Sequence, residues 1–151
     1  MVSTVYEFRT TKHRIAETPA QIRQPSDLLP LLRTLVGDRE TETLAVVHLS
    51  TKNDVIGVSV VYEGNVSASL VRVGELFRDA VRLNASAIVL VHNHPSGDPT
   101  PSPDDLHLTA QVLAAGRLLD IEVLDHVVIG ESDRYVSLRD RGVVFDRTGG
   151  K

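Results

Sequence analysis

Two histidines one residue apart, His92 and His94, end an apolar run, and a loop of turn-forming residues then leads to Ser102 and Asp105. In an extended strand, residues i and i+2 share a face, so the two imidazoles can converge while Asn93 points to the other side. Pro95 stops a strand ladder, and Ser96-Gly97-Asp98-Pro99 can turn the chain so that the start of the next helix comes back toward the imidazoles. Asp105, in the first turn of that helix, can then supply a third ligand. Two neutral imidazoles and one carboxylate suit a tetrahedral zinc with its fourth position open to water, the layout of a catalytic rather than a structural site. Such an ion brings the pKa of its water to about 7 and polarises a carbonyl. The same letters also have a plainer meaning, because Ser102-x-x-Asp105 is a helix-capping pattern and HxH pairs arise by chance.

Composition narrows the chemistry. The 151 residues contain no cysteine, which removes a thiolate zinc site, a disulfide framework and a cysteine nucleophile. It also removes the zinc nucleobase deaminases, whose pattern needs a P-C-x-x-C element. A net charge of -4, from 16 basic against 20 acidic residues, leaves no basic footprint for a phosphate backbone, so nucleic-acid binding is not expected. No run approaches the roughly 18 apolar residues of a membrane span. The residues after Met1 lack the apolar core of a signal peptide, so a cytoplasmic location is expected.

The elements that must position these side chains follow from periodicity. QPSDLLPLLRTLVGD reads as a helix capped by Ser26 or Asp27, with Pro30 in its first turn and Gly37 at its exit. Thr43–Ser50 and Val55–Gly64 read as a hairpin turning at TKND. Val73, Leu76, Phe77, Ala80 and Val81 mark an amphipathic helix that ends near Asn84. Ser86–His92 reads as a strand buried on both faces. A helix then opens with Ser102 as N-cap and Pro103 at its first position. Val123–Ile129 and Tyr135–Leu138 read as two further strands. The expected fold is a mixed α/β domain of about five or six strands and three helices. It occupies residues 25–146, after an N-terminal extension (1–24) with an edge strand at Val5–Phe8 and before a flexible tail (147–151).

His92-x-His94-Pro95, seven residues to Ser102, then x-x-Asp105 resembles the JAMM motif of JAB/MPN-type zinc metalloproteases, and the RadC-like branch is the most similar. The likeness runs over roughly residues 42 to 145 and includes ETLAVVHLSTKN, FRDAVRLNASAIVLVHNHPSGDPTPSPDD and LLDIEVLDHVVIG. It implies a cytidine-deaminase-like sheet flanked by helices, with Zn2+ ligands at His92, His94 and Asp105. It also implies a catalytic glutamate at Glu42, and Ser102 as a donor that polarises the scissile carbonyl or steadies the oxyanion. The implied activity is hydrolysis of a peptide or isopeptide bond by metal-bound water, with a protein or peptide substrate, ubiquitin-like proteins included. Glu40 lies two residues before Glu42 and would share its face if the strand extended back that far.

Two features depart from the branch. Arg72-Val73-Gly74-Glu75 stands where relatives commonly read HPRE, and nothing resembles their N-terminal helix-hairpin-helix segment. A zinc-retaining protein-binding scaffold without turnover is the alternative from another class. A nuclease or DNA-repair role comes third, because the nuclease signature spelled by His92-Asn93-His94 spreads over a ββα unit and is not a tripeptide. His48 and His107 are expected to be ordinary surface or core residues. Asp125-His126 is either a pair that orients a ligand or a hydrogen-bonded core histidine. The sequence leaves oligomeric state open.

Overall fold

The structure, a computed structural model, describes residue 4 and residues 21–37, 40–64, 70–143 and 145. The edge strand expected at Val5–Phe8 and the tail 147–151 lie outside the described residues. Five strands form one sheet: β1 (Thr43–Leu49), β2 (Val55–Glu63), β3 (Ala87–Asn93), β4 (Glu122–Ile129) and β5 (Tyr135–Ser137). Their order is β2-β1-β3-β4-β5, antiparallel throughout except for the parallel pair β3 and β4. That parallel pair requires a crossover, and α3 (Pro103–Leu119) provides it. The loop carrying the histidine motif therefore runs from the end of a central strand to the start of a helix.

β1 and β3 are buried along their whole length, as the apolar run of β3 predicts for a strand covered on both faces. One face packs Leu44, Val46, Ile88 and Leu90 against Leu76 and Phe77 of α2 (Val73–Arg82) and Leu108 and Val112 of α3. The other packs Ala45, Val47, Val89 and Val91 against Leu28 and Leu32 of the N-terminal helical segment. After α2, Asn84 takes the left-handed conformation that stops the helix where the sequence predicts.

The first helix differs from expectation. It is a 3-10 turn (Pro25–Leu28), one α-turn, α1 (Leu29–Leu32), and a π-turn (Arg33–Gly37). Pro30 has no N–H to bond the Ser26 carbonyl, and its ring crowds that carbonyl, so the α ladder cannot run through this point. The N-cap is Gln24 rather than Ser26 or Asp27; Asp27 instead reaches back to accept the N–H groups of Arg23 and Gln24.

The motif loop closes against the end of β4. Gly97, at φ +89°, adopts a conformation open to glycine, and its carbonyl accepts the N–H of Glu131. A Cβ at Gly130 would lie 2.3 Å from the Gly97 carbonyl oxygen and 2.8 Å from Pro99 Cδ. Both contacts involve stiff groups. Gly130→Ala is therefore expected to destabilise the protein by about 1–3 kcal/mol, the usual cost of overpacking. Denaturant unfolding monitored by circular dichroism checks this, and an unchanged midpoint would show that the loop yields without cost.

Candidate metal centre

Asp105 joins the motif together. Its Oδ1 lies 3.0 Å from His92 Nδ1 and its Oδ2 lies 3.2 Å from His94 Nε2. The same carboxylate accepts the Ser102 N–H at 2.8 Å, while Ser102 Oγ accepts the Asp105 N–H at 3.1 Å. The capping box and the convergence on the histidines are thus one arrangement. Burial opposes the charge on Asp105, but hydrogen bonds from His92, from His94 in its protonated form and from the Ser102 N–H outweigh it and hold the carboxyl well below the usual carboxylate range.

His92 is in β3 and His94 lies just beyond it, where its N–H still bonds the Ile129 carbonyl. The two rings stand nearly perpendicular with centroids 5.0 Å apart. His94 Nδ1 donates to the Asp98 carbonyl at 2.9 Å, which fixes the tautomer and turns Nε2 toward Asp105. The hydrogen bond to Asp105 raises the pKa of His94, against the opposing effect of burial.

Glu42 sits just before β1, on the other side of His92. Its Oε1 is 3.5 Å from His92 Nε2, a buried atom with no hydrogen-bond partner among the described residues. Glu40 is exposed. Ligand atoms of Glu42, His92 and His94 lie within 4.8 Å of one another, close enough to hold one metal ion. Asp105, expected as a ligand, is not in that group but is hydrogen-bonded to both of its histidines.

The donor set fits a cation. In the neutral His94 ring, Nδ1–H is committed to a carbonyl, so Nε2 is a lone pair facing a carboxylate oxygen. His92 presents both nitrogens to carboxylates, and its neutral ring has one proton to give. Acceptors therefore exceed protons unless protons or a metal ion fill the gap. The two imidazoles lie 3.0 and 3.2 Å from different oxygens of Asp105, so that carboxylate faces both rings while Glu42 completes the group with His92 and His94.

Further hydrogen bonds lie behind the histidines and Asp105. Thr109, one turn after Asp105 in α3, donates its hydroxyl to the Asp105 carbonyl at 2.7 Å and lies 2.7 Å from His126 Nδ1. Since the hydroxyl proton is used, His126 Nδ1 is the donor to Thr109, and its Nε2 is left as a buried lone pair. The His126 ring stacks 6.4 Å from that of His92. Asp125 does not orient His126. It points to the other face of the sheet and accepts the Ser137 hydroxyl and the N–H groups of His126 and Arg139. His48 is a core histidine 2.8 Å from Ser59 Oγ, and His107 is exposed.

Residues 22–143 match the family model described as RadC-like JAB domain. The chain belongs to the RadC-like JAB domain family. It is 52% identical over 125 residues to a UPF0758 protein of Roseiflexus castenholzii, covering 83% of this chain and 53% of that one. It is 46% identical over 123 residues to one from Desulfitobacterium hafniense, covering 82% and 54%. A relative from Clostridium beijerinckii is 39% identical over 137 residues, covering 91% and 58%. The chain spans about half the length of the curated relatives it matches. Among the described residues, no helix is long and apolar enough to cross a membrane.

Burial, reinforced by the charge of nearby His92, drives the pKa of His126 down from 6.5 to about 4. Between those values the unfolded chain binds more protons than the folded one, so acid weakens the fold. For this residue the loss from pH 6.5 to 4 is on the order of 3 kcal/mol. Denaturant titrations of the metal-free protein and of His126→Gln are expected to show the wild type losing more stability over that range. A gap between the two that does not change with pH would show His126 already protonated in the fold.

Proposed function

We propose that this domain is a zinc-dependent hydrolase of peptide or isopeptide bonds. The observation that supports it is the buried, proton-deficient cluster in which Asp105 bridges His92 and His94 while Glu42 faces the open nitrogen of His92. His92, His94 and Asp105 are the proposed ligands. Asp105 is preferred to Glu42 because it is buried, touches both imidazoles and is held ionised, whereas the Glu42 side chain is 31% exposed. A zinc ion there would supply Lewis acidity, polarising a carbonyl and bringing the pKa of water to about 7.

The chain's own groups supply the proton handling. Glu42, partly open to solvent, takes the proton of the attacking water and returns it to the leaving amine. The Oγ of Ser102 accepts the Asp105 N–H, so its own proton remains for donation to the negative oxygen that develops on the substrate. His94 is held by the Asp98 carbonyl and Asp105 by the Ser102 N–H, so neither must reorganise during the reaction. The substrate class is a protein or peptide, with ubiquitin-like fusions as the first to try.

Metal analysis should give one zinc per chain, lost in His92→Ala, His94→Ala and Asp105→Ala. Glu42→Gln is expected to keep zinc and lose at least about a hundredfold in cleavage rate, while Glu40→Gln stays close to wild type. Rates are compared at equal zinc occupancy on a panel of peptide and ubiquitin-like fusion substrates. An active Glu42→Gln protein would remove Glu42 as proton carrier. Full zinc with no turnover on any substrate would favour a binding scaffold.

A further inference from the structure

We infer that Asn93, the residue between the two histidines, is a positioning residue for Glu42. Its side chain is buried and grips the backbone on both sides of that glutamate. Asn93 Oδ1 accepts the Thr43 N–H at 2.6 Å, and Asn93 Nδ2 donates to the Thr41 carbonyl at 3.1 Å. The Glu42 carbonyl between them accepts the Gly64 N–H at 2.9 Å. Three successive backbone groups around Glu42 are therefore tied down, two of them by one side chain.

The topology explains why a side chain is needed. The β1–β3 ladder runs from Leu49↔Ala87 to Leu44↔His92 and goes no further. Continuing that register would bring Thr43 opposite Asn93, and there the amide of Asn93 replaces the missing strand-to-strand bond. A primary amide carries an acceptor and a donor in one rigid plane, matching an N–H and a C=O two residues apart. Aspartate offers no donor, and an apolar isostere offers neither group. The result ties the Glu42 backbone to the residue beside His92, so the carboxylate and the imidazole keep a fixed relation without Asn93 touching either reacting group.

This role rests on Glu42 as the proton carrier, and the test separates the two. Amide hydrogen exchange in the wild type, followed by NMR, should show Thr43 as protected as its β1 neighbours. Rapid exchange there would overturn the proposal with no variant needed. In Asn93→Ala, Thr43 should exchange at least about tenfold faster, and zinc affinity by chelator competition should stay within about threefold, less than the ten- to hundredfold typical of a lost ligand-orienting bond.

With an active substrate, kcat should fall about ten- to a hundredfold with little change in KM, the scale of a displaced catalytic group. The same substitution on a Glu42→Gln background should cost less than about twofold further, because the group it positions is already inert. Zinc loss matching the rate loss, or additive effects in the double variant, would show that Asn93 serves the histidine strand instead. If the wild type cleaves nothing, the hydrolase proposal fails and the cobalt(II)-substituted protein decides the position of Glu42. Its visible spectrum should shift in the same direction in Asn93→Ala and in Glu42→Gln, and no further in the double variant. A spectrum that Asn93→Ala leaves unchanged overturns the positioning role. Should Asn93→Ala not fold, Asn93→Asp, which keeps the acceptor for the Thr43 N–H and loses only the donor, takes its place in every measurement.

Discussion

The whole arrangement depends on one buried carboxylate at a helix start. Asp105 is 4% exposed, yet it is held ionised by two imidazoles and a backbone N–H. A buried carboxylate without such partners would cost several kcal/mol, so each partner is a condition of the others. The helix N-terminus adds its own favourable field, typically about 0.3–1 kcal/mol and more when partly buried. Placing that N-terminus beside the end of β3 is what the parallel β3–β4 pair achieves, because its crossover must leave the sheet at that end. The fold and the site share this constraint.

Around that carboxylate, protons are few and acceptors many. His94 is turned by the Asp98 carbonyl, His92 is flanked by carboxylates, and His126 keeps a bare nitrogen in the core. The low pKa of His126 keeps its fully buried imidazole neutral beside His92 and His94. Charging all three would stack like charges with centroids 5.0 and 6.4 Å apart. A neutral His126 can therefore brace His92 through its ring and Asp105 through Thr109 without adding a positive charge to the cluster.

Much of this was legible in the sequence, for identifiable reasons. The period of two in a strand places His92 and His94 on one face, and Ser102-Pro103 marks the start of α3, so Asp105 follows. These are local rules over a few residues. Thr109 could have been read by the same logic, four residues after Asp105 on the same helical face. Asn93 could not, because its partners lie 50 and 52 residues away and are backbone groups that leave no trace in residue type. Asp125-His126 stays undecided in the sequence for a related reason. Neighbours in a strand face opposite ways, so Asp125 lies on the other side of the sheet, and of the two readings the sequence leaves open His126 takes the second, a core histidine hydrogen-bonded to Thr109.

The departure at Arg72-Val73-Gly74-Glu75 takes its meaning from the same sheet. Tyr62 of edge strand β2 donates its hydroxyl to Glu75 and accepts the Arg72 N–H, so the start of α2 is pinned to that strand. Tyr62 pairs with Leu44, and Leu44 pairs with His92, which puts the Tyr62 backbone about 10 Å from that of the histidine at the spacing of adjacent strands. Glu75 is occupied in holding α2 and is not a loose carboxylate awaiting a substrate. Arg72, with its side chain 83% exposed, is tied to the fold by its backbone N–H and by a loose ion pair to Glu75 at 3.9 Å. Glu75, the one residue of that pattern that is kept, thus pins the start of α2 to β2, while Val73 beside it packs against the core cluster that contains Leu76 and Phe77.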